Sequence, residues 1–98
     1  MIFRLTRPAI KDLAEIGKHT RKEWGDEQSK KYQIALSTRL KWLCRNKPLW
    51  RERPELQEGI YTYNEHSHII VFLEYENGIE ILRILHQRMD PVRHLSKP

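Results

Sequence analysis

The chain has 98 residues, which is enough for one small domain and too short for two hydrophobic cores, so we expect a single domain over residues 1–98. Hydrophobic residues make up 39% of the sequence and charged residues 32%, as in an ordinary globular domain. The net charge of +5 favours an acidic partner, which is either nucleic acid or an acidic protein segment.

Neither a disulfide framework nor a membrane anchor is predicted. Cys44 is the only cysteine, which excludes an internal disulfide and fits a reducing compartment. The N-terminal MIFRLTRP has no apolar signal-peptide core, and the longest apolar run, Ile69 to Leu73, is far shorter than the roughly 20 residues of a membrane helix. We therefore expect a soluble cytoplasmic protein.

The first half of the chain is predicted to form a short strand and two helices. The apolar residues near the N-terminus suggest the strand, and the hydroxyl of Thr6 is expected to cap a helix over Arg7–Trp24. Gly25 ends that helix, and Asp26 is expected to cap a second helix that ends near Asn46. Because so short a turn joins them, the two helices are expected to run antiparallel.

Beyond Gly59 the apolar residues recur with a period of two, which predicts strands. The predicted strands are Ile60–Tyr63, His66–Tyr75 and Ile79–His86. Asn64-Glu65 and Asn77-Gly78 are interpreted as tight turns, and Asn77-Gly78 is the strongest indication of a hairpin. Pro91 ends the sheet, and residues 92–95 are expected to form one helical turn. The predicted class is α+β, in the order β-α-α-β-β-β, with an antiparallel helix hairpin on one face of a small antiparallel sheet.

These turns assign side chains to the two faces of the sheet. One face is entirely aliphatic and is expected to lie under the helices: Ile69, Val71, Leu73, Leu82 and Ile84. The other face mixes aliphatic and aromatic residues with charged ones: Tyr61, Tyr63, His66, His68, Ile70, Phe72, Glu74, Ile81, Arg83 and Leu85. Such a mixed face is typical of a surface that contacts a partner or substrate. The alternative is that the C-terminal tail or the loop before Gly59 covers it.

Two kinds of chemistry can be considered for this face. His66 and His68 have a spacing found in metal sites, but no second ligand pair accompanies them, and the sequence favours neither a metal nor another cofactor. Tyr61, Tyr63, His68 and Arg83 supply the base, acid and cation that cleavage of an RNA phosphodiester needs. Nothing in the sequence fixes their mutual geometry, so no catalytic residue is assigned.

Four segments of the chain resemble the ParE toxins of bacterial toxin–antitoxin pairs, within the RelE/ParE superfamily. They are TRKEWG (Thr20–Gly25) with Gln28 and Tyr32 behind it, RPEL (Arg53–Leu56) with Gly59, HIIVF (His68–Phe72) and IEILRILHQRMD (Ile79–Asp90). The resemblance runs nearly end to end. It implies the helix-hairpin-on-sheet fold that the periodicity also predicts.

The resemblance also implies a function, namely poisoning of DNA gyrase by a toxin that a ParD-like antitoxin binds and neutralises in a higher-order hetero-oligomer. RelE relatives are mRNA endonucleases, but this chain has Ile60 and Tyr61 where many superfamily members place an arginine, and its predicted strands contain no lysine. The alternatives are a RelE-like, ribosome-dependent endonuclease and an inactive toxin that still binds antitoxin. The predicted partner-binding residues, on the mixed face and the following tail, are Tyr61, Tyr63, His68, Phe72, Arg83, His86, Arg88 and Met89.

Overall fold

The computed structural model describes residues 2–89, so the helical turn predicted over residues 92–95 lies outside the described part of the chain. Its elements are β1 (Phe3–Leu5), α1 (Arg7–Trp24), α2 (Asp26–Arg45), β2 (Arg51–Glu52), β3 (Ile60–Glu65), β4 (His68–Tyr75) and β5 (Gly78–His86). A 3₁₀ turn, Lys47–Leu49, follows α2. The predicted α+β class and element order are confirmed, and β2 is a short additional strand within the predicted loop before Gly59.

The helix ends follow from local hydrogen bonding. The Thr6 hydroxyl accepts the Ala9 N–H at 3.2 Å, which confirms the predicted cap of α1. Gly25 has φ 90° and donates its N–H to the Arg21 carbonyl at 2.9 Å, so it closes α1 and α2 begins at once. The predicted capping role of Asp26 is wrong, because no side chain caps α2 and Asp26 already lies in its first turn. Its carboxylate still favours the helix N-terminus through the helix dipole.

A buried polar contact holds the two helices together. The Thr20 and Ser29 hydroxyl oxygens lie 2.8 Å apart, and the Ser29 hydroxyl donates to the Gly17 carbonyl at 3.3 Å. Thr20 and Ser29 are almost completely buried. Because each hydroxyl has its hydrogen-bond partner, the small residues allow a close approach of α1 and α2 without leaving a buried polar atom unsatisfied.

The five strands form one mixed sheet in the order β1-β5-β4-β3-β2. The predicted antiparallel pairs of β3 with β4 and of β4 with β5 are present, and β1 adds a parallel edge strand through its pairing with β5. β2 pairs with β3 and is antiparallel to it. The parallel pair requires Gly78, because a Cβ atom there would lie 1.7 Å from the Ile2 carbonyl oxygen. That same oxygen accepts the Ile79 N–H at 3.2 Å.

The strand register differs from the prediction. The β3–β4 turn is His66-Ser67 and the β4–β5 turn is Glu76-Asn77, with His66 and Glu76 at positive φ. Val71 pairs with Arg83 but Phe72 pairs with Ile81, so Leu82 is an extra residue on β5. A β-bulge of this kind inverts the alternation of side chains along the strand beyond it.

The prediction of which face of β4 the helices cover is also wrong. Ile70 and Phe72 belong to the main core with α1 and α2, where Leu36 and Leu40 of α2 are also buried. Val71 lies on the opposite face in a second cluster with Ile60 and Leu85, against which Leu56 of the preceding loop packs. Since both faces are apolar and buried, the aliphatic pattern alone does not distinguish the helix-covered face.

Candidate functional site

A groove of about 680 Å³ lies between the C-terminal half of α1 and the ends of β4 and β5. It shares Trp24 and Ser67 with a shallower groove of about 460 Å³ that reaches α2 and the β3–β4 turn. We call the two together the histidine groove. Its histidine and large aromatic side chains are His19, Trp24, Tyr32, His66, His68 and His86.

Aromatic rings line the histidine groove in a continuous series. Trp24 and Tyr32 meet edge to face with 6.0 Å between ring centroids. Tyr32 lies 6.2 Å from His66 and 5.8 Å from His68, and the His68 and His86 rings are 5.7 Å apart. Edge-to-face and offset contacts of this length are favourable, so the rings stabilise one another's positions.

Each ring of the series is held by a different element of the fold. Trp24 is the last residue of α1, and Tyr32 lies two turns into α2 on the helix hairpin. His68 opens β4 and pairs with His86, the last residue of β5. Side chains of directly paired residues project to the same face of a sheet, which is why these two imidazoles meet.

Burial sets the protonation states at the centre of the groove. The Tyr32 hydroxyl and the His68 Nδ1 are 2.7 Å apart. Burial raises the pKa of Tyr32, and the nearby Glu65 carboxylate raises it further. Burial lowers the pKa of His68, and the positive charges that His86, His19 and His66 can carry lower it further. Tyr32 is therefore a neutral phenol, and His68 a neutral imidazole, at neutral pH.

Four of the eight predicted partner-binding residues meet at this groove. His68, His86, Arg88 and Met89 all line it, at the junction of the strand ends and the following tail. Met89 is 41% exposed, a large fraction for an apolar side chain. The structure thus brings together His68, at the start of β4, and the three predicted residues at and after the end of β5.

Arg83 does not project freely from the sheet as predicted. Its Nε and Nη2 donate to the two carboxylate oxygens of Asp12 at 2.7 and 2.9 Å, and the Ile84 N–H donates to the same carboxylate at 2.9 Å. The Asp12 carboxylate raises the pKa of Arg83. Arg83 therefore joins α1 to the part of β5 that extends beyond β1.

Tyr61, Tyr63 and Phe72 lie elsewhere in the molecule. Phe72 is fully buried under the helices and presents no surface, because the face predicted to be free is the helix-covered one. Tyr61 packs against Trp50 with 5.3 Å between ring centroids, and Tyr63 against Trp42 with 5.6 Å. The eight predicted residues are therefore not one continuous surface.

Three of the six histidine and large aromatic residues of the groove are not predicted from the sequence as site residues. Helical spacing assigns Trp24 to the buried stripe of α1, yet it is 58% exposed because it ends the helix beyond the edge of the sheet. The same spacing assigns Tyr32 to the apolar stripe of α2, and no sequence pattern singles out His19. The sequence signal available for Trp24 is its place next to Gly25, which marks it as the last residue of the helix.

Metal binding, membrane insertion and thiol chemistry find no support in the described residues. Among residues 2–89, no three His, Cys, Asp or Glu side chains are arranged so that they could hold a metal ion. In the same part of the chain, neither helix combines the length and the apolar character needed to cross a membrane. Cys44 is buried, and burial raises the pKa of its thiol.

Comparison with known proteins identifies the family. A sequence model of the family described as "ParE toxin of type II toxin-antitoxin system, parDE" matches residues 3–91. The chain belongs to the ParE toxin family. The match spans every residue of the histidine groove, and it confirms the resemblance seen in the sequence segments.

Curated ParE toxins resemble the chain over nearly their whole length. The chain is 30% identical over 94 residues to "Toxin ParE1" of Caulobacter vibrioides, covering 96% of this chain and 97% of that protein. It is 28% identical over 95 residues to "Toxin ParE" of Escherichia coli, covering 96% and 92% of the two chains. A solved structure described as "Chromosomal ParDE TA system from P. aeruginosa" superposes with a TM-score of 0.73 at 26% identity, covering 88% of this chain and 95% of that one. The protein is thus a ParE-type toxin in both sequence and fold.

Proposed function

We propose that this ParE-type toxin inhibits DNA gyrase by binding to it, and that a ParD-like antitoxin neutralises the toxin by direct binding. The observation that carries the proposal is the family match over residues 3–91, with named ParE toxins aligned over 92% or more of their own length. Inhibition of gyrase is the action that the ParE resemblance implies. The proposed action is that of a binding inhibitor and not of an enzyme.

A binding inhibitor needs a preformed surface with large exposed side chains. Trp24 and Met89 are 58% and 41% exposed at the histidine groove. Trp24 is fixed by α1 and by its contact with Tyr32, so little side-chain freedom is lost when a partner covers it. Tryptophan is among the residues that contribute most to protein–protein binding free energy, which supports docking of a protein partner at this surface, whether gyrase or the antitoxin.

The placement of the candidate catalytic groups supports binding rather than RNA cleavage. Tyr61 and Tyr63 pack on Trp50 and Trp42, whereas His68 lies in the histidine groove. The Arg83 guanidinium is already held by the carboxylate of Asp12. A catalytic base must lie within hydrogen-bond reach of the group that it deprotonates, with the stabilising cation close by. The separate placement of the tyrosines, His68 and Arg83 does not fit that requirement.

The antitoxin is proposed as a partner on the basis of charge and family. The net charge of +5 favours an acidic polypeptide, and an acidic segment that folds on binding can cover a large part of so small a protein. The similar P. aeruginosa structure is described as a ParDE system. We expect toxin and antitoxin to form a higher-order hetero-oligomer in the cytoplasm.

Expression in growing cells tests the proposal. Induction of the toxin should produce filamentous cells and a DNA-damage response, and co-expression of the antitoxin encoded beside it should prevent both. Rapid translation arrest with cut mRNA would instead identify a RelE-like endonuclease. Normal growth together with retained antitoxin binding would identify an inactive toxin, and either result would overturn gyrase inhibition.

A further inference from the structure

Two histidines of the groove have one ring nitrogen committed within the protein. The backbone N–H of Arg88 donates to the His86 Nδ1 at 3.1 Å, so a neutral His86 carries its proton on Nε2. The Tyr32 hydroxyl lies 2.7 Å from the His68 Nδ1, and donation by the phenol places the His68 proton on Nε2 as well. Both rings line the groove, with centroids 5.7 Å apart, and no residue within 2–89 accepts a hydrogen bond from either Nε2, so this part of the chain leaves two neighbouring N–H groups for an acceptor.

The other polar groups of the groove are unevenly distributed between donors and acceptors. Arg88 and His19 add donors to those of His68 and His86. The Asp12 carboxylate also lines the groove, but it accepts three hydrogen bonds from Arg83 and Ile84. Within the described part of the chain, Glu15 is then the remaining carboxylate of the lining, so the groove favours a ligand that brings acceptors.

The same groove has an apolar half that selects the class of ligand. Ile16, Trp24 and Met89 line it beside the imidazoles. Among its lining residues within 2–89, Arg88 is the only arginine or lysine. Nucleic-acid backbones are usually bound by several arginines and lysines, whereas an amphipathic peptide presents carboxylates and apolar side chains together. These surroundings favour an acidic peptide over nucleic acid.

We infer that the histidine groove binds an acidic, amphipathic segment of the antitoxin, whose carboxylates accept hydrogen bonds from His68 and His86 while an apolar side chain packs on Trp24. The inference rests on the proposed function, because it assigns a place on the toxin to the antitoxin named there. It makes the groove the neutralisation surface of the toxin.

Binding of this kind depends on pH. The titratable and charged groups around the two imidazoles are Asp12 with its partner Arg83, Glu15, His19, Tyr32, Glu65, His66 and Arg88. Burial and the like charges of the other histidines lower the pKa of His68, whereas a bound carboxylate favours its protonated form. Binding therefore takes up protons, and affinity should rise about three- to tenfold as the pH falls from 8 to 6. Peptide carboxylates stay ionised in this window.

The test measures binding of the full toxin to two probes at pH 8 and pH 6. One probe is the antitoxin encoded beside the toxin gene, and the other is a fluorescent peptide covering its most acidic stretch. The double variant His68→Gln/His86→Gln should bind at least about tenfold more weakly at pH 6 and should lose most of the pH dependence. A peptide with Gln and Asn in place of Glu and Asp should show the same losses with the wild-type toxin. Because this arm uses no toxin variant, misfolding of a variant cannot explain the result.

A matched control, Tyr75, lies at the opposite end of β4 from His68. Tyr75 is 37% exposed and lines a separate groove with Arg4 and Ile2. Tyr75→Ala should leave antitoxin affinity within about twofold, whereas Trp24→Ala should lower it about tenfold or more.

Three results would overturn the inference. The first is antitoxin binding by the double variant and by Trp24→Ala that matches the wild type at both pH values. The second is loss of gyrase inhibition in these variants with antitoxin affinity unchanged, which would assign the groove to the target. The third is a wild-type toxin that does not bind the antitoxin at all, and only this result also removes the antitoxin from the proposed function.

Discussion

The contact between Asp12 and Arg83 yields a sharp prediction about stability. The Asp12 carboxylate accepts two hydrogen bonds from Arg83 and one from the Ile84 N–H, at 2.7 to 2.9 Å. The side chains of Asp12 and Arg83 are only 14% and 24% exposed. Asp12→Ala leaves a mostly buried guanidinium and a backbone N–H without their acceptor. Removing one member of a buried pair costs about 3–5 kcal/mol. The remaining exposure of Arg83 lowers our expectation to about 2–3 kcal/mol, since solvent screens part of the charge.

The assay is thermal unfolding followed by circular dichroism. For a domain of this size, about 1 kcal/mol corresponds to roughly 4–8 °C in melting temperature, so Asp12→Ala should lower it by roughly 10–20 °C. The matched control is Glu15→Ala, which removes an exposed carboxylate from the next turn of the same helix and should change stability by less than about 0.5 kcal/mol. Arg83→Ala should cost less than Asp12→Ala, because Asp12 keeps the Ile84 N–H. Equal melting temperatures for Asp12→Ala and Glu15→Ala would refute this account of how α1 is joined to β5.

Four further predictions concern the core, the sheet edge, the histidine groove and Tyr61. Leu36→Ala should lower the free energy of unfolding by about 2–4 kcal/mol, whereas Ile34→Ala on the exposed face of the same helix should change it by less than about 0.5 kcal/mol in urea titrations. Gly78→Ala should cost about 1–3 kcal/mol, because its Cβ would strike the Ile2 carbonyl just before β1. It should also speed hydrogen exchange of the Ile79 N–H, which donates to that carbonyl. The lowered pKa of His68 means that the unfolded state binds more protons below about pH 6.5, so stability should fall from pH 7 to pH 5, and His68→Gln should reduce that fall. Tyr61→Phe should leave toxicity in a growth assay essentially unchanged, because binding loses at most one hydrogen bond worth about 1 kcal/mol. Loss of a catalytic acid or base would instead lower a cleavage rate about 10²–10⁴-fold.

The helices were predictable because their signals are local. Thr6 caps α1 with its own hydroxyl, and Gly25 takes the positive φ that separates the two helices. Both positions depend on residues within a few places in the sequence, so periodicity and capping preferences suffice.

The sheet register was not predictable, because it depends on contacts distant in sequence. Asn77-Gly78 is a favourable turn sequence, yet Gly78 is already in β5, where Ile2 passes over it and leaves no room for a side chain. The bulge at Leu82 then inverts the alternation along β5. With both sheet faces apolar, no local rule identifies which face the helices cover.

The candidate site was predictable only in part for the same reason. His86, Arg88 and Met89 follow a strand end, where side chains leave the core, and their sequence context already indicates a surface. Trp24 and His19 reach the same groove from α1, some sixty residues earlier in the chain. Their meeting depends on the packing of α1 beside β5, which the sequence pattern does not specify.

Gyrase supercoiling in vitro tests the central claim most directly. Purified toxin is titrated into gyrase, relaxed plasmid and ATP, with relaxation by topoisomerase I as the control for a general effect on DNA. The account predicts that the toxin inhibits supercoiling and leaves topoisomerase I unaffected, and that the antitoxin encoded beside it restores gyrase activity. Full supercoiling at a large molar excess of folded toxin would contradict the account.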